Sequence, residues 1–371
     1  MINRFNLVLL FVCCRIFAFN CDYSKEEAII DLYNFRFDSC IKTLDKLLDE
    51  CPNDPLVPFL NVSANWQKEL FHGNVYKSYE VIYKGIKKLA PHYQDMIERY
   101  PNDQRYNLFL GSLYGLKARI DLAQSDWMAL VVSGVKGFSY INEARHKDLN
   151  LNDVYMPIGT LEYFLCKSSS ALQIMGGLFG LSSDCSEAIS KLERASENGE
   201  LSWVETRNVL SHIYLYIERD YSRALYTTSS LVKNFPEHPF FSYLHAETLV
   251  RLGMYSEFNS IKGRLETFIS DGPINQRIEC QDKFNYIESL IHFQFNRYKL
   301  AAEKSSEVID GYDNEFKWIL GYAYFIRAKS RDALGKRKLA ISDYQMAIKY
   351  LDRYPEQIEA SQYIKNPFVG K

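Results

Sequence analysis

The sequence predicts an all-α chain, built as a solenoid of about eight stacked antiparallel helix pairs. Three observations lead there. First, one turn pattern recurs through the C-terminal half. Arg219-Asp220-Tyr221-Ser222-Arg223-Ala224 is followed by Leu252-Gly253-Met254-Tyr255-Ser256-Glu257-Phe258, then Asn296-Arg297-Tyr298-Lys299-Leu300-Ala301, then Leu334-Gly335-Lys336-Arg337-Lys338-Leu339-Ala340. The closing residues Ala188, Ala224, Phe258, Ala301 and Ala340 are 36, 34, 43 and 39 apart, near the roughly 34-residue period of a helix-turn-helix repeat. Second, apolar residues keep helical spacing, with almost no period-two alternation. Third, no Ser-, Pro- or Gly-rich linker divides the 371 residues, and 47% of them are apolar. One continuous core therefore fits better than two or three separate domains.

Taken in order, residues 1–20 read as a secretory signal peptide. Arg4 gives a short positive start, Leu7 to Cys14 a short apolar core, and Ala18 a small residue near a cleavage point. The apolar run is far too short to span a bilayer. Cys21, after Ala18-Phe19-Asn20, partly fits a bacterial lipidation site, although Phe19 and Asn20 fit it poorly. Lipidation there is the one membrane attachment the sequence offers.

The mature chain, 21–371, reads as a single solenoid, with divergent repeats over 21–200. Lys25 to Asp49 is one unit, ended by Cys51-Pro52-Asn53-Asp54-Pro55. Leu56 to His72 and Val75 to Tyr100 form a longer pair. Tyr106 to Asp121 and Ser125 to Lys147 form a third, whose Gly111, Gly115, Gly134 and Gly137 are costly inside helices. Close helix approach is their expected use. Asn150 to Asp153 caps a fourth pair, with a first helix expected from Val154 to Met175. Gly176-Gly177-Leu178-Phe179-Gly180-Leu181 is an apolar loop where loops are ordinarily polar. It either packs on the neighbouring pair or offers a docking patch to a partner or membrane surface.

Regular repeats follow over 201–358. Two helices approach closely only where side chains are small, which explains Ala246 and Ala328 in first helices and Ala224, Ala301 and Ala340 in second helices. Gly253 and Gly335 permit tight turns, and Pro236 stops a helix. Asp271-Gly272-Pro273 breaks the chain between two units and accounts for part of the 43-residue spacing. From Asp352 the chain is polar, with one cap helix ending near Ile364 and a tail over 359–371.

On these residues the C-terminal half and one N-terminal unit resemble the tetratricopeptide repeat family. Ala246, Gly253 and Tyr255 carry the likeness in one unit. Ala328, Gly335, Ala340, Tyr344 and Ala347 carry it in another, and Tyr221, Ala224 and Leu231 in a third. His212 departs from a Gly or Ala preference, and Phe258 and Ser289 replace Ala. Gly199-Glu200-Leu201-Ser202, leading into Glu205-Thr206-Arg207, with Asn152-Asp153-Val154-Tyr155 upstream, resembles a group of exported bacterial members. The resemblance implies a concave groove lined by first helices. Its positions here are Tyr243, Glu247 and Arg251, then Lys283, Tyr286 and Gln294, then Tyr322, Lys329 and Asp332. Aromatic platforms beside both signs of charge suit an extended peptide. The plainer reading is ordinary solvated side chains.

Little in the sequence supports chemistry. A net charge of -2 gives no field for nucleic acid. No two cysteines of Cys21, Cys40, Cys51, Cys166, Cys185 and Cys280 have metal-type spacing. They fit buried thiols, or in an oxidising compartment a bridge between Cys166 and Cys185 or between Cys40 and Cys51. The latter needs the helix end to unwind. The seven histidines are scattered, and neither a phosphate loop nor Gly-x-Ser-x-Gly occurs. Ser39 with Lys42, and Ser230 with Lys233, match Ser-x-x-Lys only by a spacing common in helices. The expectation is a non-enzymatic exported scaffold for protein–protein interaction, in the periplasm or cell envelope of a bacterium. It has a protein or peptide partner and no cofactor, metal or nucleic acid. The alternative is a glycan or small-ligand binder using the Tyr-rich groove.

Overall fold

The computed structural model describes residues 21–124, 126–313 and 317–370, so the signal-like stretch lies outside the described residues. Among them are 18 α-helices and no strand. The first three pairs are α1 (Cys21–Tyr33) with α2 (Phe37–Glu50), α3 (Leu56–Phe71) with α4 (Val75–Arg99), and α5 (Arg105–Ala123) with α6 (Trp127–Lys147). Next come α7 (Tyr155–Cys166), a short α8 (Ser170–Leu178) and α9 (Cys185–Asn198). The regular part pairs α10 (Trp203–His212) with α11 (Tyr221–Asn234) and α12 (Pro239–Arg251) with α13 (Tyr255–Ser270). It continues with α14 (Ile274–Gln294) and α15 (Tyr298–Gly311), then α16 (Trp318–Ala333) and α17 (Arg337–Tyr350), before the cap helix α18 (Pro355–Lys365). That is eight pairs and a cap.

One turn device serves six hairpins. Phe35, Gly73, Arg219, Gly253, Asn296 and Gly335 each take a positive φ between the helices of a pair. In most of them the next amide reaches back to a carbonyl five residues earlier, as in Met254 N to Leu249 O at 2.9 Å and Lys336 N to Arg331 O at 2.7 Å. This is the left-handed helix stop that satisfies two orphan carbonyls. The sequence shows it as Gly at three turns only. At the others Phe, Arg and Asn pay the left-handed strain.

Packing follows the small residues. Ala224, Ala246, Ala301, Ala328 and Ala340 are all fully buried. Gly111 and Gly137 let α5 and α6 touch along their backbones: a Cβ on either would fall within 3 Å of the other's carbonyl oxygen. Gly115 and Gly134 have open space beside their own Cα atoms, so the close approach belongs to two of the four glycines.

Several expectations change. The fourth pair's first helix stops at Cys166 rather than continuing to Met175, because the chain turns at Lys167 to Ser169 and restarts as α8. Cys40 does not bridge to Cys51 and is a buried free thiol. Cys51 bonds Cys21 instead, and Cys166 bonds Cys185. The Cys21 sulfur is thus the atom that a lipid thioether would also require. After His212 the backbone passes into a π-helical turn, Ile213–Ile217. No helix of the described residues is long and apolar enough to cross a membrane.

The superhelix also meets itself. The α1–α2 turn packs on α10 and on the α11–α12 corner: Tyr33 Oη donates to Glu205 of α10 at 3.0 Å, and Tyr33 lies 5.0 Å from the Phe235 ring. Phe35 sits 4.7 Å from His238. These contacts join parts of the chain some 170 to 200 residues apart.

Candidate interaction site

The inner trough is built from α10, α12, α14, α16 and α18. The π turn after α10 aims Tyr216 inward, and the Tyr216 hydroxyl donates to Glu247 Oε2 at 2.5 Å. Tyr286 donates to Glu247 Oε1 at 2.8 Å. Arg251 Nε reaches the same oxygen at 2.8 Å, and Arg251 Nη2 reaches the Tyr286 oxygen at 2.9 Å. Glu247 therefore has both oxygens occupied. Burial first, then the nearby carboxylate, holds the Tyr216 and Tyr286 phenols well above their usual range, so they stay protonated donors.

A second set closes the far end. Tyr322 Oη donates to Glu356 Oε2 at 2.9 Å. Arg219 pairs with Glu356 at 2.7 Å and Glu359 at 2.6 Å, tying α18 to the α10–α11 turn. Beside the first set, Tyr216, Glu247 and Tyr286, lies a cavity of about 50 Å³, walled by Asn208, His212, Phe240, Lys283 and Trp318 among others. This is room for about a water or two, not for a ligand. Burial lowers the His212 pKa and keeps the ring neutral.

The nine groove positions therefore divide. Tyr243, Glu247, Tyr286 and Tyr322 are buried, which corrects the expectation that they face an open groove. Tyr243 spends its hydroxyl on the Leu265 carbonyl at 2.7 Å. Arg251 is locked on Glu247. Lys283 lies 3.7 Å above the Phe240 ring and pairs with Glu279 at 2.7 Å. The Asp332 side chain has no exposure and accepts from Arg337, from Tyr344 and from the Phe368 amide. Gln294 is exposed yet bonds the Val250 carbonyl at 3.1 Å. Lys329 is half-buried among four aromatic rings, and burial lowers its pKa. The pattern fits self-filling by polar side chains, since a buried charge left unpaired is costly.

The other surface that stands out lies in the middle of the chain. On α6, Met128, Val131, Val132 and Val135 are exposed. A shallow cleft of about 360 Å³ runs between α5 and α6, lined by Tyr114, Lys117, Met128, Val132 and Lys136. On α8 and the turn after it, Leu172, Ile174, Met175, Leu178 and Phe179 are exposed, Leu178 by 81%. Gly176 seats α8 against Leu165, where a Cβ would fall 2.2 Å from Leu165 Cδ2. The Cys166–Cys185 bond closes the base of this segment. The apolar loop over Gly176 to Leu181 is thus largely uncovered rather than packed on a neighbour. Sequence spacing alone missed the α6 stripe, although Met128-Ala129-Leu130-Val131-Val132 is a charge-free run that signals it.

The hairpins, their left-handed stops and the buried alanine seams settle the architecture. This chain is a tetratricopeptide-like α-solenoid. It is similar to the crystal structure of yeast Tom70 at 11% identity and a TM-score of 0.41, over 93% of this chain and 88% of that one. It is also similar to the P58(IPK) TPR domain at 13% identity and a TM-score of 0.25, over 93% and 97%. Likenesses this slight carry no weight beside the chain's own hairpins. No protein-family model and no curated protein matches the chain. Within this tetratricopeptide-like frame the two stretches resembling exported members meet physically. Asp153 accepts the amides of Glu200, Leu201 and Ser202 at 3.1, 2.9 and 2.7 Å. Those residues clamp the α9–α10 link, which is a structural task. No group of three or more His, Cys, Asp or Glu side chains suited to a metal occurs among the described residues.

Proposed function

We propose that this chain is an exported, non-enzymatic scaffold that binds another protein in the bacterial cell envelope, and that contact is made by α6 and α8 rather than by the inner trough. One observation carries this reading: Leu172, Ile174, Met175, Leu178 and Phe179 stand exposed in a stretch, 168–183, without a single charged residue. Scattered exposed apolar side chains are ordinary, whereas a concentrated run marks an interaction surface. Two disulfides support an oxidising compartment, in line with the signal-like start. The glycan reading loses its basis, because the trough tyrosines are buried and their hydroxyls engaged.

The test is capture from envelope extract with the mature chain, followed by mass-spectrometric identification. Ile174→Asp with Leu178→Asp abolishes recovery of the captured protein, while Asn208→Ala at the trough cavity leaves it intact. Equal recovery by the Asp variant overturns the reading. Peptide mapping without reductant joins Cys21 to Cys51 and gives an unlipidated mature N-terminus.

A further inference from the structure

Two routes lead from the first hairpin to α10. One is the chain itself, through α3 to α9. The other is a set of contacts at the α1–α2 turn. There the Tyr33 hydroxyl donates to Glu205 at 3.0 Å, and the Glu237 amide donates to Asn34 Oδ1 at 3.3 Å. Arg36 Nη1 reaches both Glu237 oxygens at 3.3 Å. The Phe35 ring lies 4.7 Å from His238 and 6.1 Å from Phe240. At the α3–α4 turn, Gly73 faces Asn275 at the start of α14, so closely that a Cβ would fall 1.7 Å from the Asn275 amide nitrogen. Leu201, on the α9–α10 link, packs on the core of α1 to α5. These contacts come from turns and helix ends; no helix of the first two pairs lies along α10 to α14.

Three observations mark this meeting as a joint that opens. First, Phe35 holds a φ of 58°, a region that bulky side chains avoid. At Gly73, Gly253 and Gly335 the same stop is free of that strain. Strain of this kind persists only where the surroundings hold it, and it gathers at switch regions. Second, Glu205 is half-buried and has no ion pair among the described residues. Burial raises its pKa against the hydrogen bond from Tyr33, so closure works against a carboxylate that lacks a counter-charge. The Arg36–Glu237 pair is exposed and adds little. Third, the core of α1 to α5 and the core that runs from α7 to α18 are separate clusters. We propose that Tyr33, Asn34, Phe35 and Arg36 form a clasp that opens and closes the superhelix, and that its closure sets the spacing of α6 and α8. Both helices lie on the covalent arc between the clasped ends, and an arc held at both ends cannot change its curvature. The coupling rests on the partner reading above; the clasp itself does not.

The test uses the full chain with nitroxide labels at Lys42→Cys and Lys233→Cys, both exposed positions, and reads their separation by double electron–electron resonance. The native thiols Cys40 and Cys280 are buried. Phe35→Gly keeps the left-handed stop and deletes the ring, and Glu237→Lys opposes Arg36. The expected result is one short distance in the labelled parent and a second, longer one in Phe35→Gly with Glu237→Lys. If that variant does not fold, Tyr33→Phe with Glu237→Lys, which leaves Phe35 on Phe37 and Phe71, carries the same expectation. A single unchanged distance in the variant overturns the clasp. The coupling is read by capture from envelope extract, with the clasp locked by Arg36→Cys bonded to Glu237→Cys. Locked and open chains are expected to differ at least about fivefold in recovery, within the usual range of coupling between sites. Equal recovery by the two overturns the coupling. No recovery by any form, wild type included, overturns the partner reading and the coupling with it, while the distances still decide the clasp.

Discussion

The inner trough of α10 to α18 and the flank, meaning the separate exposed apolar faces of α6 and of α8, solve opposite problems. In the trough, Tyr216, Glu247, Arg251, Tyr286, Tyr322, Arg219 and Glu356 bond one another until few polar atoms remain for a guest. On the flank, Met128, Val131, Ile174 and Leu178 meet solvent with nothing to satisfy them. The lesson is that polar richness along a repeat's inner face is not evidence of an open site. Groups of both signs at regular spacing are able to neutralise each other, whereas apolar side chains at the surface have no internal remedy.

The sharpest way to break this contrast is at Glu247. Glu247→Ala leaves Arg251 buried without its carboxylate, and a broken buried pair costs about 3–5 kcal/mol. Thermal unfolding of the variant shows a large drop; a loss within about 0.5 kcal/mol, the usual surface value, would mean the trough is open and solvated. Next in size is the bond at the base of α8. Cys166→Ser with Cys185→Ser removes a closure of 19 residues in separation, worth about 3 kcal/mol in the chain-entropy view. Urea unfolding with and without reductant measures it, and the variant no longer responds to reductant through this pair.

The third expected effect depends on pH. Asp282 is buried, with Glu279 nearby, and burial first raises its pKa to about 6. The folded value lies above the unfolded value near 3.8, so the protonated acid favours the fold. Its stabilisation is full below pH 4 and is lost as pH rises through about 6. Asp282→Asn removes this dependence and gains about 2 kcal/mol at neutral pH relative to wild type, after allowance for partial solvent screening. The gain of Asp282→Asn over wild type is therefore present at pH 7.5 and small at pH 4, and denaturant unfolding of both chains at the two pH values measures it. The smallest effect is on the flank itself: Leu178→Asp changes stability by no more than about 0.5 kcal/mol, because its side chain packs on little. A loss of several kcal/mol would show that the flank belongs to the core.

Much of the architecture was legible in the sequence, and the reason is geometric. A seam of alanines at a fixed period leaves helix pairs few alternatives, and Ala246, Ala301 and Ala340 lie where the period puts them. The left-handed stops were read at Gly253 and Gly335 but not at Phe35 and Arg219, residue types that carry no mark of a positive φ. The candidate site was harder to read. Whether Glu247 faces water or Tyr216 depends on the π turn after His212, which places Tyr216 against a carboxylate 31 residues away. Asp332 looked like a free groove carboxylate because two of its three partners, Tyr344 and the Phe368 amide, lie 12 and 36 residues away, and only Arg337 is near in sequence. Cys21 and Cys51 pair across a complete hairpin, a contact local spacing does not reveal.

The most direct test of the contrast is site-specific photo-crosslinking in the cell envelope, with benzoylphenylalanine placed at Ile174 on α8 or at Asn208 beside the trough cavity. The account predicts a discrete adduct with a second protein from position 174 and none from position 208. An adduct from 208 alone would contradict it, because the trough would then be the surface that meets the partner.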